Sequence, residues 1–129
     1  MAQQTATYIQ NDAFAKSLGI KLLDEGENTV RCVLEIREEH KNGLGTIHGA
    51  VIFALGDIAF AAACNTQQVS IGMQADIRYL NKPKSERLLT KAQLISGSKK
   101  IAHYEVIISD DVGTKVAVFT GTAYRLPNR

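Results

Sequence analysis

The hydrophobic positions of this chain change pattern three times, and the changes divide it into four parts. Ile9, Phe14 and Leu18 fall close to one helical face and Gly19 follows, so residues 7–18 predict a short amphipathic helix, a lid or brace over the body of the domain. A strand over Ile20–Leu23 and a turn over Asp24–Asn28 come next. Val30, Cys32, Leu34 and Ile36 then alternate with Arg31, Val33, Glu35 and Arg37, which predicts a strand with one apolar face. After a polar loop from Glu38 to Gly45, Thr46 is the expected N-cap of a helix running to Asn65 or Gln67. That segment is apolar on every side, as a central, buried helix is.

Period 2 returns after it. Val69, Ile71, Met73, Ala75, Ile77 and Tyr79 alternate with polar or small residues. Leu88–Ile95, Ala102–Ser109 and Thr114–Arg125 read as three further strands, the last with Val116, Val118, Thr120, Thr122 and Tyr124 on one face. The turns between them are short, which favours antiparallel neighbours. One antiparallel sheet wrapped around one long central helix, an α+β fold, satisfies the pattern. Such a sheet has an outer face and edge strands to protect, and association of two or more copies is the expected remedy.

With 129 residues, 45% hydrophobic and 22% charged, the chain is expected to form a single soluble domain over residues 1–129. A formal net charge of +2, evenly spread, argues against a nucleic-acid surface. Lys82-Pro83-Lys84 and Lys99-Lys100 are the densest basic stretches, read either as solvated loops or as contacts to an anionic ligand. Cys32 and Cys64 have no metal spacing, which suits reduced core thiols, and no metal site is expected. Met1–Thr5 lacks the features of a secretory leader. The longest apolar stretch, Ala50–Cys64, is interrupted by Asp57 and is too short to span a bilayer. A cytoplasmic protein with no membrane partner is expected.

Asp57 is the anomaly in the long helix. Phe53, Ala54, Phe60 and Ala61 lie one turn to either side. A carboxylate buried among such neighbours is either satisfied by nearby donors, as a core aspartate, or raised in pKa and put to work. The start of the helix adds Asn42, His48 and Gly49. A helix N-terminus has free N–H groups and partial positive charge, and a glycine there leaves its N–H unshielded, able to hold a developing oxyanion. His48 also fits a capping role and Asn42 a turn. Gly49 and Asp57 are eight residues apart, about 12 Å along a helix axis. One carbonyl cannot touch both in the same helix, so a joint site requires Gly49 of one subunit and Asp57 of another.

The run Asn42-Gly43-Leu44-Gly45-Thr46-Ile47-His48-Gly49-Ala50, followed by Leu55-Gly56-Asp57-Ile58-Ala59, resembles the hotdog-fold acyl-CoA thioesterases of the PaaI (phenylacetate-pathway) type. Ile77–Pro83 and Val116–Ala123 resemble strands of that family, and the likeness covers about residues 8–125. It implies a hotdog fold and hydrolysis of an aryl- or medium/short-acyl-CoA to the free acid and CoA. It further implies Asp57 as nucleophile or general base, the Gly49 N–H polarising the carbonyl, Asn42 orienting water or Asp57, and His48 holding the substrate near its sulfur. Phe53 and Phe60 would line the acyl pocket. Lys82, Lys84, Lys99 and Lys100 would meet the phosphates of coenzyme A, which enters as part of the substrate and not as a cofactor. A homo-oligomer, at least a dimer and commonly a tetramer, is implied. The chain departs from the family in having Ala50 for the second glycine of His-Gly-Gly, and Ser70 is a nearby candidate for a water-orienting hydroxyl. Two other readings compete. One is a non-catalytic acyl-CoA-binding or regulatory hotdog domain. The other is a hotdog hydratase or dehydratase, for which His103 in a later strand has no evident acidic partner.

Overall fold

A computed structural model describes residues 5–127. Met1 to Gln4, which carry most of the reading of the N-terminus, lie outside them. The elements are α1 (Thr5–Gln10), α2 (Ala13–Leu18), β1 (Lys21–Gly26), β2 (Thr29–Glu35), a 3-10 turn (Glu38–His40), α3 (Gly49–Cys64), β3 (Ser70–Tyr79), β4 (Arg87–Gly97), β5 (Ile101–Asp110) and β6 (Lys115–Arg125). The six strands form one antiparallel sheet in the order β1-β2-β4-β5-β6-β3. Strand β3 follows α3 in sequence but pairs with β6, so α3 carries the chain across the sheet from β2 to the far edge. It packs against β2 through β6 on the way. This is the hotdog arrangement expected from the sequence.

The expected N-terminal helix is two. Asp12 ends α1 and starts α2, its Oδ1 accepting from the Ala15 N–H at 2.9 Å, and Gly19 closes α2 with φ of 84°. Ile9 and Ala15 are buried, whereas Phe14, expected on the apolar face, is 60% exposed. The pair braces the domain through His40. That side chain is almost fully buried, accepts from the Arg37 N–H at Nδ1 and donates from Nε2 to the Leu18 carbonyl at 2.8 Å. Arg37 adds a bond to the Ser17 carbonyl. Nothing in the periodicity marks His40, because its partners are the ends of other elements.

Close approach of α3 to the sheet depends on glycines opposite aromatic rings. A Cβ at Gly121 would sit 2.8 Å from the Phe60 ring, and one at Gly56 would sit 2.9 Å from Phe119. Phe60 also meets Tyr104 and Phe119, each with centroids 5.8 Å apart. Burying a ring of this kind is worth about 1.5–3 kcal/mol, so this seam is a main source of stability. The core-facing side of β6 is therefore Ala117, Phe119, Gly121 and Ala123. Val118, Thr120, Thr122 and Tyr124, expected together with Val116, occupy the outer side, and Val116 is itself buried.

The alternation of β3 is also broken. Its pairing with β6 shifts between Gly72 and Gln74, a bulge at Met73. Gly72, Ala75, Ile77 and Tyr79 consequently share the side paired to core-facing residues of β6, while Ile71 pairs with Tyr124 on the outer side. As an edge strand β3 is poorly covered: Ile71 is 56% and Met73 60% exposed. Among the described residues no helix is long and apolar enough to cross a membrane.

The glycine seam gives a stability test. Gly121→Ala places a methyl inside the contact distance of the Phe60 ring, and overpacking of this kind costs about 1–3 kcal/mol. Urea unfolding should show a lower midpoint with an unchanged slope.

Candidate active site

The loop before α3 is held by Asn42. Its Oδ1 accepts from the N–H of Leu44 (2.9 Å), the N–H of Thr46 (3.2 Å) and the Thr46 hydroxyl (3.2 Å). Its carbonyl oxygen is thus spent on shaping the approach to the helix, and within one chain no contact to Asp57 is found among the described residues. The cap is His48, not Thr46. Its Nδ1 accepts from the Ala50 N–H at 3.0 Å, which puts the ring proton on an exposed Nε2. The Val51 and Ile52 N–H groups reach the His48 carbonyl, at 3.0 and 3.3 Å. The Gly49 N–H, by contrast, meets no acceptor among the described residues.

Gly49 differs from the glycines that seat α3. Its backbone is ordinary helix, and a Cβ there would meet the Tyr79 ring at 3.5 Å, normal van der Waals contact. Neither dihedral strain nor packing demands a glycine. What the missing methyl leaves open is the wall of a cavity of about 270 Å³, lined by Gly49 with Ile47, Ile52, Tyr79, Leu80 and Val116, and with Thr46, Asn81, Lys82 and Pro83. An unpaired N–H at a helix N-terminus, on a residue that lines a largely apolar cavity, is suited to a carbonyl oxygen that gains negative charge.

Asp57 lies further along the same uninterrupted helix, so the separation of about 12 Å stands. The expectation that it is buried does not hold for the single chain: it is exposed, on a stripe with exposed Ala50 and half-buried Phe53 and Ala61 that the sheet does not cover. Its apolar surroundings still desolvate the carboxyl enough to raise its pKa, and repulsion from the Asp12 carboxylate adds to the rise. Nothing in the sequence pattern marks Asp12, at the joint of α1 and α2. Only its place over α3 reveals it.

The other sequence candidates divide. Phe60 is 2% exposed and locked between Gly72, Gly121 and two other rings, so it is a core side chain and not a pocket wall. Phe53 is half-buried, edge-on to Phe119 at 5.4 Å. Lys82 lines the Gly49 cavity and a neighbouring one of about 140 Å³. The backbone N–H of Lys84 bonds to Asp110, whose burial would raise its pKa but whose bonds from the N–H groups of Lys84, Thr114 and Val112 lower it. Lys99 and Lys100 line a separate cleft of about 450 Å³ with Arg125 and Gln68, beyond the C-terminal end of α3. Ser70 closes the connection from α3 to β3, its hydroxyl donating to the Gln68 carbonyl. His103 stands on the outer side of the sheet, bonded to the Thr122 hydroxyl. Burial pushes the Cys32 thiol up to about 11 and that of Cys64 up to about 12, which leaves neither a nucleophile at neutral pH. The described residues contain no cluster of His, Cys, Asp and Glu able to hold a metal ion.

The family described as the thioesterase superfamily matches residues 44–117, from the loop held by Asn42 into β6. The acyl-coenzyme A thioesterase PaaI of Escherichia coli is 29% identical over 126 residues, 96% of this chain and 90% of that protein. The solved structure of the E. coli PaaI protein from the phenylacetic acid degradation operon superposes with a TM-score of 0.89, at 29% identity over 95% of this chain and 90% of the other. That of the TT0310 protein of Thermus thermophilus superposes at 0.85, with 33% identity over 90% of this chain and 99% of the other. The family match covers more than half of the chain, α3 with its opening turn included, so the chain belongs to the thioesterase superfamily and is a thioester hydrolase.

Proposed function

We propose that this protein is an acyl-CoA thioesterase whose sites form between two copies of the chain. The observation that carries the reading is the unpaired Gly49 N–H in the wall of an apolar cavity, set on the same rigid helix as a carboxylate it cannot reach. The thioester carbonyl docks with its oxygen on the Gly49 N–H of one subunit, and its carbon faces Asp57 of the other. Asp57 takes a proton from the attacking water, or attacks directly to form a mixed anhydride that water then cleaves to the free acid, restoring the carboxylate. The tetrahedral oxyanion is held by the Gly49 N–H and the helix dipole until the C–S bond breaks and the thiol of coenzyme A leaves as its thiolate. His48, with its Nε2–H exposed, is placed to donate near the sulfur, and Asn42 keeps the loop in shape. Lys82 is the basic residue nearest the cavity for the phosphates of coenzyme A. The named residues supply the base and the oxyanion donor, so the proposed chemistry uses no metal or cofactor of the protein's own.

Two features support assembly. Edge strand β3 has unpaired backbone groups beside exposed Val69, Ile71 and Met73, and the uncovered stripe of α3 carries Asp57. A second copy laid against β3 covers both. Leu89 and Ile107, beside exposed Leu23 on the outer side of the sheet, offer a further contact for pairing dimers into a tetramer.

Release of free thiol from aryl-, short- and long-chain acyl-CoAs tests the activity. Asp57→Asn should lower kcat by at least about 10². Because the folded pKa of Asp57 is raised, the wild-type rate should begin to fall on acidification at a pH above the ordinary aspartate value of about 3.9. Tight binding of acyl-CoA without turnover by the wild type would instead favour a purely binding role.

Gly49→Ala separates fold from chemistry. Alanine keeps the N–H, and its methyl meets only normal contact, so the melting temperature should hold, while the methyl crowds the approach of the thioester to that N–H and kcat should fall by up to roughly 10². Mixing the two impaired variants tests the shared site. A mixed dimer has one site with both groups intact, so activity should return to roughly a quarter of wild type on subunit exchange. If the mixture stays dead while exchange is demonstrated, both groups act within one chain.

A further inference from the structure

The opening turn of α3 is the least self-supported part of the site. It follows a loop with Gly43 and Gly45, the latter at φ of 81°, and with Leu44 88% exposed. Its first residue is a glycine, the residue with most backbone freedom to lose. One side chain from outside the turn holds it. The Tyr79 hydroxyl donates to the Gly49 carbonyl at 3.0 Å, and the ring lies 3.5–3.6 Å from the place a Gly49 Cβ would take. Tyr79 is itself well anchored. It ends β3 opposite Ala117, and the next two residues, Leu80 and Asn81, donate to the Val116 carbonyl at 2.8 and 3.3 Å, with the Asn81 side chain on the Lys115 carbonyl at 2.8 Å. Ring and hydroxyl thus join the sheet edge to the first peptide of the helix, on the wall of the cavity itself.

We infer that Tyr79 is a positioning residue, whose hydroxyl anchors the Gly49–Ala50 peptide and, through the shared Gly49 Cα, holds the preceding peptide in the orientation that the Gly49 N–H needs to hold the oxyanion. The inference rests on the thioesterase reading and deepens it. The phenolic proton is committed to a protein carbonyl, so Tyr79 acts through Gly49 and not on the substrate. The ring provides the cavity wall, and the hydroxyl provides the tether. Tyr79→Phe removes the second and keeps the first.

The test compares wild type and Tyr79→Phe by steady-state kinetics on the best acyl-CoA and by amide hydrogen exchange at Val51, Ile52 and Phe53, the N–H groups that close the first turn. A net neutral hydrogen bond is worth up to about a tenfold change, so kcat should fall about five- to tenfold with KM within about twofold, and exchange at the three amides should quicken. Unchanged kcat with unchanged exchange overturns the inference, as does a raised KM at constant kcat, which would make Tyr79 a wall only. If the wild type cleaves no thioester, the functional reading fails by itself. Exchange alone then decides the tether: faster exchange in Tyr79→Phe supports it, and unchanged exchange overturns it.

Discussion

Helix α3 comes close to the sheet because two aromatic side chains take the room that glycines leave. Phe119 of β6 fills the space at Gly56 on the helix, and Phe60 of the helix fills the space at Gly72 and Gly121 on the sheet. The fit is reciprocal, each layer supplying one ring and accepting another. It sets the depth, axial position and rotation of α3 together, because a ring cannot slide along a row of larger residues without a clash. Gly49 and Asp57 have no independent placement. Their positions follow from a helix pinned at its middle, and the opening turn needs its own fastening only because it projects beyond that pin.

The same seam explains how much of this is legible in the chain. The helix and the strands in their sequence order can be read there, since apolar periodicity and short turns are local properties. The boundaries of α3 are less so: Thr46 is as good a cap by composition as His48, and only the three-dimensional path shows which side chain meets the Ala50 N–H. Phe53 and Phe60 look alike in sequence, yet one is half-buried and the other sealed, a difference made by glycines far along the chain. Asp57 reads as buried because its helical neighbours are apolar. They are apolar for two reasons, the sheet on one side and the uncovered stripe on the other, and one sequence cannot tell a wall of its own fold from a wall that suits a second copy.

His40 and Asp110 escape a reading of the sequence for a related reason. Each is a polar side chain in a buried place, and each is satisfied by backbone groups of segments distant in sequence: His40 by the end of α2, Asp110 by the loop at Lys84 as well as its own turn. They fasten the two loops that flank the cavity, one leading into α3 and one leaving β3. The framework around the site is thus held by a few polar bonds at the ends of elements, while its middle is held by packing.

Strand β3 has a further consequence for how the chain can vary. The extra residue at Met73 puts the segment before it and the segment after it in opposite phase. Loss of Met73 itself would leave a regular ladder, with Ile71 still outward and Gly72 and Tyr79 still inward. A further residue lost from the strand would force a choice: either Ile71 turns inward to the space now open for Phe60, or Tyr79 turns outward and away from the helix start. The turns at 98–100 and 111–113 lie between strands and carry no such phase requirement, so they suit additions or losses of length better than β3 does.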